Sequence, residues 1–174
     1  MVIWITGLSG AGKTTIAHEL AKQLREAKQP CLILDGDMAR QAIADPNVKY
    51  DPESRLTGAM RICRLAKLLE QENIWVIAST MSLIEEVFQW NRSNFKNYFE
   101  IYIRVDMEIL KQRDAKNLYS LAAKGAISDV VGIHHPTQEP KTSDLVIDNN
   151  GSIAELFLMA KKIISLIQSS NSKP

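Results

Sequence analysis

Short apolar runs alternate along the chain with stretches of helical period, and this alternation sets the first expectation of the fold. Val2-Ile3-Trp4-Ile5-Thr6 reads as a strand, and after a Gly-rich interval Thr14 to Leu24 carries helical periodicity that stops before Pro30. A second strand run, Cys31-Leu32-Ile33-Leu34, leads into Asp35-Gly36-Asp37. Ser54 to Glu72 predicts a long helix with an apolar stripe through Ile62, Leu65, Leu68 and Leu69, feeding the strand run Ile74-Trp75-Val76-Ile77-Ala78. A helix over Leu83 to Asn94, a strand from Phe99 to Val105, a short helix to Arg113 and a last strand at Leu145-Val146-Ile147 follow. The final helix opens with Ser152 and Glu155 at capping-box spacing and turns Leu156, Ala160, Ile163, Ile164 and Ile167 inward, before a polar tail from Ser169 to Pro174 that is expected to fray.

Near-continuous apolar strands are those buried on both faces, so strands interleaved with helices predict an α/β protein. The expected architecture is a three-layer α/β/α sandwich with a mainly parallel five-stranded sheet, whose Gly-rich interval, Gly7 to Thr14, reads G-x-x-x-x-G-K-[ST] and so marks the P-loop NTPase type. Ligands in such folds bind beyond the carboxyl ends of the strands, where the Gly-rich interval and Asp35-Gly36-Asp37 fall. Between Asp114 and Ser143 the sequence is charged, contains Gly and Pro, and is longer than an ordinary connection; residues 114–142 are therefore the expected lid loop.

Length and composition narrow the function classes. The 174 residues suit a single domain, 1–174, and a net charge of +1 supplies no global field for nucleic acid or an acidic membrane. Apolar runs are strand-length, the N-terminus has no basic leader, and no stretch approaches a membrane span, so a soluble cytoplasmic protein is expected. Cys31 and Cys63 read as small apolar packing residues in a reducing compartment. His134-His135 does not read as a metal pair, because sequence neighbours point apart and no partner has ligand spacing; a lid-surface role is expected, with His18 on the solvent side of the first helix.

The strongest chemical signal is Gly7-Leu8-Ser9-Gly10-Ala11-Gly12-Lys13-Thr14, a gapless G-x-x-x-x-G-K-[ST] set between a strand and a helix. Glycines let successive N–H groups turn around an oxyanion, and the helix that follows points its positive end at the same place. ATP is the expected nucleotide, held by residues 7 to 14 with Thr15, with Lys13 on the β- and γ-phosphates and the Thr14 hydroxyl on Mg2+. Two readings stand for Asp37: a base or water-organiser near the γ-phosphate, or part of an Asp-Gly turn capping the next helix. Arg40 lies one helical turn on and Arg55 and Arg61 lie on the following helix, where a guanidinium facing the crevice would clamp an anionic acceptor. Arg113 opens the lid and supplies a cation to close over the triphosphate.

With these residues in place the chain resembles the adenylyl-sulfate kinase family over about residues 2 to 149. The matches are Gly7 to Thr15; Leu34-Asp35-Gly36-Asp37 with Arg40; Arg113-Asp114 with Lys116, Leu118 and Tyr119; and Gly132-Ile133 with Pro136, Glu139-Pro140 and Leu145-Val146-Ile147-Asp148. The resemblance implies transfer of the ATP γ-phosphate to the 3′-hydroxyl of adenosine 5′-phosphosulfate. It makes Lys13 and Asp37 catalytic and places Asp35, Arg40, Tyr50, Arg55, Gly58, Ser79 and Val130 around the acceptor. Partners implied are a small-molecule nucleotide acceptor and, as an open alternative, a second copy in a homodimer, with no nucleic acid or membrane.

Departures from the family pattern fall in the acceptor half. Met38 stands where the family usually has Asn, and Arg55-Leu56-Thr57-Gly58 then Met60-Arg61 loses an Asn amide and one cation. The aromatic pair that sandwiches the acceptor adenine appears as Tyr50 and Val130. Losing one stacking face forfeits about 1–3 kcal/mol per base. A 5′-modified nucleotide with a smaller base suits a thinner pocket, and the pattern also resembles kinases of surface-polysaccharide pathways that phosphorylate cytidine diphosphoramidate. A slow ATP-hydrolysing switch protein is the reading from another class; a lid rich in charges rather than apolar anchors weighs against it.

Overall fold

A computed structural model describes residues 1–45, 49–114 and 116–171. Five strands, β1 (Val2–Thr6), β2 (Cys31–Asp35), β3 (Trp75–Ser79), β4 (Tyr98–Arg104) and β5 (Leu145–Asp148), form one sheet in the order β2-β3-β1-β4-β5 with every pairing parallel. Seven helices accompany them: α1 (Lys13–Glu26), α2 (Gly36–Ile43), α3 (Pro52–Gln71), α4 (Glu85–Asn94), α5 (Met107–Arg113), α6 (Leu118–Ala123) and α7 (Ile153–Asn171).

The two-residue period of a strand explains the two cores. On β1, Ile3 and Ile5 face α1 and α7, packing with Ile16, Leu20, Ile163 and Ile167, while Val2 and Trp4 face α3 and α4, packing with Ile62, Cys63, Ala66 and Val87. All five β1 residues are buried because helices cover both faces, as a parallel sheet requires. Parallel register also aligns the sheet's upper edge: Asp35 lies opposite Ser79, and Ser79 opposite Ile5. The chain therefore leaves β1, β2 and β3 at one level, beside the strand at which the connections reverse direction.

Three expectations need correction. Leu65 and Leu68 are not on the buried stripe of α3; they are 39% and 56% exposed, and the inward face is Ala59, Ile62, Cys63, Ala66 and Glu70. A helix covered on one side buries only one arc, and the small residues Ala59, Cys63 and Ala66 occupy it because they let α3 approach the sheet. The stretch from Asp114 to Ser143 is not wholly irregular, since α6 and a bridge between Val131 and His135 lie within it. The polar tail is helical in its first part: α7 continues to Asn171, and residues 172–174 lie outside those described. The capping box at the other end of α7 forms, with Ser152 N donating to Glu155 at 3.2 Å and Glu155 N donating to the Ser152 hydroxyl at 3.3 Å.

Candidate active site

The loop between β1 and α1 is shaped by what its carbonyls do. Four successive carbonyls each accept from a different side chain: Leu8 O from Lys13 Nζ (2.8 Å), Ser9 O from the Tyr119 hydroxyl (2.9 Å), Gly10 O from Arg113 (3.5 Å) and Ala11 O from Asn149 Nδ2 (2.9 Å). Satisfying the carbonyls this way leaves the amides to line the loop's interior, which with the unpaired first N–H groups of α1 makes an anion cradle. Gly7 is obligatory here: a Cβ would stand 2.5 Å from the Ile103 carbonyl of β4.

Arg113 does more than the sequence suggested. Besides Gly10 it donates to the carbonyls of Asn149 (2.9 Å) and Gly151 (3.2 Å), so it braces the loop against the β5–α7 turn. Asn149, buried and bonded to Ala11, and Tyr119, buried and bonded to Ser9, are further braces; Asn149 had no motif to mark it, as its role comes from contact across 138 residues of chain.

Burial is the main cause that pushes the Lys13 ammonium down to about 8, with Lys116 adding to the depression and Asp37 and Asp35 opposing it. The nearby Asp35 is the N-cap of α2, accepting from Asp37 N at 3.0 Å and Met38 N at 3.3 Å, and its other oxygen accepts from the Thr14 hydroxyl at 3.2 Å. The capping role thus falls to Asp35, and the Asp37 side chain projects from the first turn of α2 into the cleft. There it is ion-paired with Lys116 of the lid. Asp37 is 71% exposed at its side chain, so the pair is open to water and exchangeable.

One cavity of about 660 Å³ joins these groups to the far wall. Its lining runs from Ser9, Lys13 and Thr14 past Asp35, Asp37 and Lys116 to Arg40, Tyr50, Arg55, Gly58, Ser79 and Val130. Arg40 and Arg55 both lie over the Tyr50 ring, at 4.8 and 5.8 Å from its centroid. Arg55 is further fixed by donating to the carbonyls of Tyr50 (2.6 Å) and Asp129 (2.5 Å), the second of which ties α3 to the lid. Burial, then repulsion from Arg40, lowers the Arg55 pKa without removing its charge. Val130 is buried on the lid side, whereas Gly58 has no atom within 4 Å of where a Cβ would sit and leaves open space.

The hydroxyls of Ser79 and Ser82 are buried, line the same cavity and have no hydrogen-bond partner among the described residues. Unsatisfied buried hydroxyls on a cavity wall are groups prepared for a polar ligand. Ser82 was not anticipated, nor was the ion pair of Arg61 with Asp45 at 2.6 Å on the same wall. The two lid histidines are spent locally, His134 Nδ1 accepting from Val130 N (3.1 Å) and His135 Nε2 bonding Asp129 (2.8 Å). Among the described residues no three His, Cys, Asp or Glu side chains gather as a metal site, and no helix is long and apolar enough to cross a membrane.

Known proteins are similar to this chain in sequence and in fold. A model of the family described as adenylylsulphate kinase matches residues 1–148. The cytidine diphosphoramidate kinase of Campylobacter jejuni is 40% identical over 165 residues, covering 93% of this chain and 95% of that protein. The adenylyl-sulfate kinase of Paraburkholderia xenovorans is 35% identical over 150 residues, covering 86% and 83%. The structure of the Mycobacterium tuberculosis APS kinase in complex with AMPPNP and APS superposes with a TM-score of 0.87 at 29% identity, covering 96% of each chain.

Proposed function

The chain belongs to the adenylylsulphate kinase family, and from that premise we propose that it moves the γ-phosphate of ATP to the ribose 3′-hydroxyl of a 5′-modified nucleotide, with cytidine diphosphoramidate as the acceptor. The observation that carries this reading is the single cavity in which a phosphate cradle and the Asp37 carboxylate face a wall of guanidinium groups. Two features favour the cytidine acceptor. The relative at 40% identity is named for it, against 33–37% for relatives named for adenylyl sulfate, and Val130 supplies no second ring for a purine sandwich. Adenylyl sulfate is the second reading, supported by the APS kinase structure on which the whole fold superposes.

In this mechanism Asp37 leaves Lys116, accepts the proton of the acceptor hydroxyl and orients its oxygen. That oxygen bonds the γ-phosphorus as the bond to the β–γ bridging oxygen breaks and ADP departs. Lys13, the loop amides and the freed Lys116 carry the positive charge that meets the transferring group, and Arg40 and Arg55 grip the acceptor's 5′ anion. Thr14 and Asp35 present a hydroxyl and a carboxylate 3.2 Å apart, hard oxygen donors of the kind Mg2+ takes when phosphates and water complete its shell. Bound there, the ion would neutralise charge on the β- and γ-oxygens.

A turnover screen tests the proposal: ATP and magnesium with 5′-modified cytidine and adenosine nucleotides, reading ADP and 3′-phosphorylated product. Acceptor-dependent ADP with the cytidine compound is expected; equal ADP release without any acceptor points instead to a slow ATP-hydrolysing switch. Asp37→Asn is expected to lower kcat about 10²- to 10⁴-fold while leaving ATP affinity within a few fold. Undiminished turnover in that variant would overturn its role.

A further inference from the structure

We propose that the Asp45–Arg61 ion pair reads the Watson–Crick edge of the acceptor base and selects cytosine; this rests on the kinase reading and deepens it. The pair stands on the acceptor wall of the cavity, with Tyr50 and Gly58 in the same lining. Its geometry is fixed by a 2.6 Å contact between Arg61 Nη2 and Asp45 Oδ2, and both side chains are half-buried, at 34% and 22% exposure, so each still faces the cavity. Gly58, on the same helix as Arg61 and nearly one turn before it, leaves the approach to the pair unobstructed, because nothing lies within 4 Å of its Cβ position.

The chemistry of the two groups is directional. A carboxylate only accepts hydrogen bonds and a guanidinium only donates them, from five N–H groups in a planar fork. An amino base shows the complementary edge, an exocyclic amine that donates beside a ring nitrogen that accepts. Keto bases show the reverse order and would set an N–H against the guanidinium and a carbonyl against the carboxylate. Uracil and guanine are thereby excluded. Between the two amino bases the fork decides: cytosine offers a second acceptor, O2, next to N3, where adenine has a C–H. The single ring also fits an opening with one aromatic wall, Tyr50, and an aliphatic one, Val130.

A matched readout of this kind discriminates bases by roughly tenfold to a hundredfold. Two assays on the full chain test it: kcat/KM for cytidine against uridine 5′-diphosphoramidate, and equilibrium binding of CMP against UMP by calorimetry, which needs no turnover. Wild-type protein is expected to favour the cytidine member of each pair at least tenfold. In Asp45→Asn, whose amide can donate to the uracil O4, the ratio should fall toward one through a rise in KM for cytidine alone. In Arg61→Lys, which keeps the charge and loses the fork, the ratio should fall likewise. A purely structural pair would lower both members of each comparison equally, so a ratio unchanged in the variants overturns the proposal. Equal binding of CMP and UMP by the wild type overturns it without any variant. Clear CMP preference with no phosphorylation of any nucleotide would remove the kinase reading and leave the base reader standing.

Discussion

Replacing Gly12 by Ala adds one methyl group at a place with no room for it. The residue sits at φ +101°, and a Cβ there would come within 2.7 Å of Leu156 Cδ2 and 2.9 Å of Asn149 Nδ2. Holding an L residue in that backbone region costs about 1–3 kcal/mol. Forcing a methyl between packed groups costs a similar amount, about 1–3 kcal/mol, so the total is about 2–6 kcal/mol. For a chain of this size each kcal/mol lowers Tm by about 2–4 °C, which puts the expected drop at about 4–24 °C. Gly58→Ala is the internal control, since the same methyl meets nothing within 4 Å and lies in the middle of α3. Removing a helix-interior glycine there is expected to stabilise by about 0.5–1 kcal/mol. Thermal unfolding followed by circular dichroism, with reversibility checked, compares the two. A Gly12→Ala protein melting within 2 °C of wild type would refute the reasoning, as would a Gly58→Ala protein melting well below it. Because Asn149 also holds the Ala11 carbonyl, ATP binding should weaken in Gly12→Ala and not in Gly58→Ala, which lies on the acceptor side of the cavity.

Two further outcomes follow from buried charges. Lys13 binds phosphate as an ammonium, and in the free protein it titrates near pH 8, so affinity for a non-hydrolysable ATP analogue should be level just below that pH and fall about tenfold per unit above it; calorimetry between pH 7 and 10 checks this, and a flat profile refutes it. Glu100, fully buried on β4, accepts from the Tyr98 hydroxyl at 2.6 Å and pairs with Arg92 at 3.2 Å, an arginine that also donates to the Thr142 carbonyl where the lid returns. Burial raises its pKa, so the folded chain holds that proton more readily than the unfolded one, and this group's contribution to stability falls as pH rises from the ordinary glutamate range. Glu100→Ala takes the acceptor from the Tyr98 hydroxyl, while Arg92 keeps Asp144 and the Thr142 carbonyl, and should cost about 1–3 kcal/mol, read as a lowered urea midpoint.

Residue order alone determined the five strands, every helix but α6, the parallel three-layer class, the phosphate loop and the family, because each is written in contiguous or periodic residues. Even the α7 cap was readable, since its two partners are three positions apart. Other features depended on contacts between distant parts of the chain. Which arc of α3 turns inward was settled by how closely the helix seats on the sheet, leaving Leu65 and Leu68 outside. The four side chains that pull the loop's carbonyls outward come from positions 13, 113, 119 and 149. The division of labour between Asp35, capping and bonded to Thr14, and Asp37, aimed at the lid, follows from the start of α2 rather than from the Asp-Gly-Asp motif. Asp45 and Arg61 stand 16 residues apart in the chain, and no periodicity marks their meeting. Local pattern records which groups the chain owns, while the direction each one faces is fixed only when strand register and helix packing bring remote backbone within hydrogen-bonding distance.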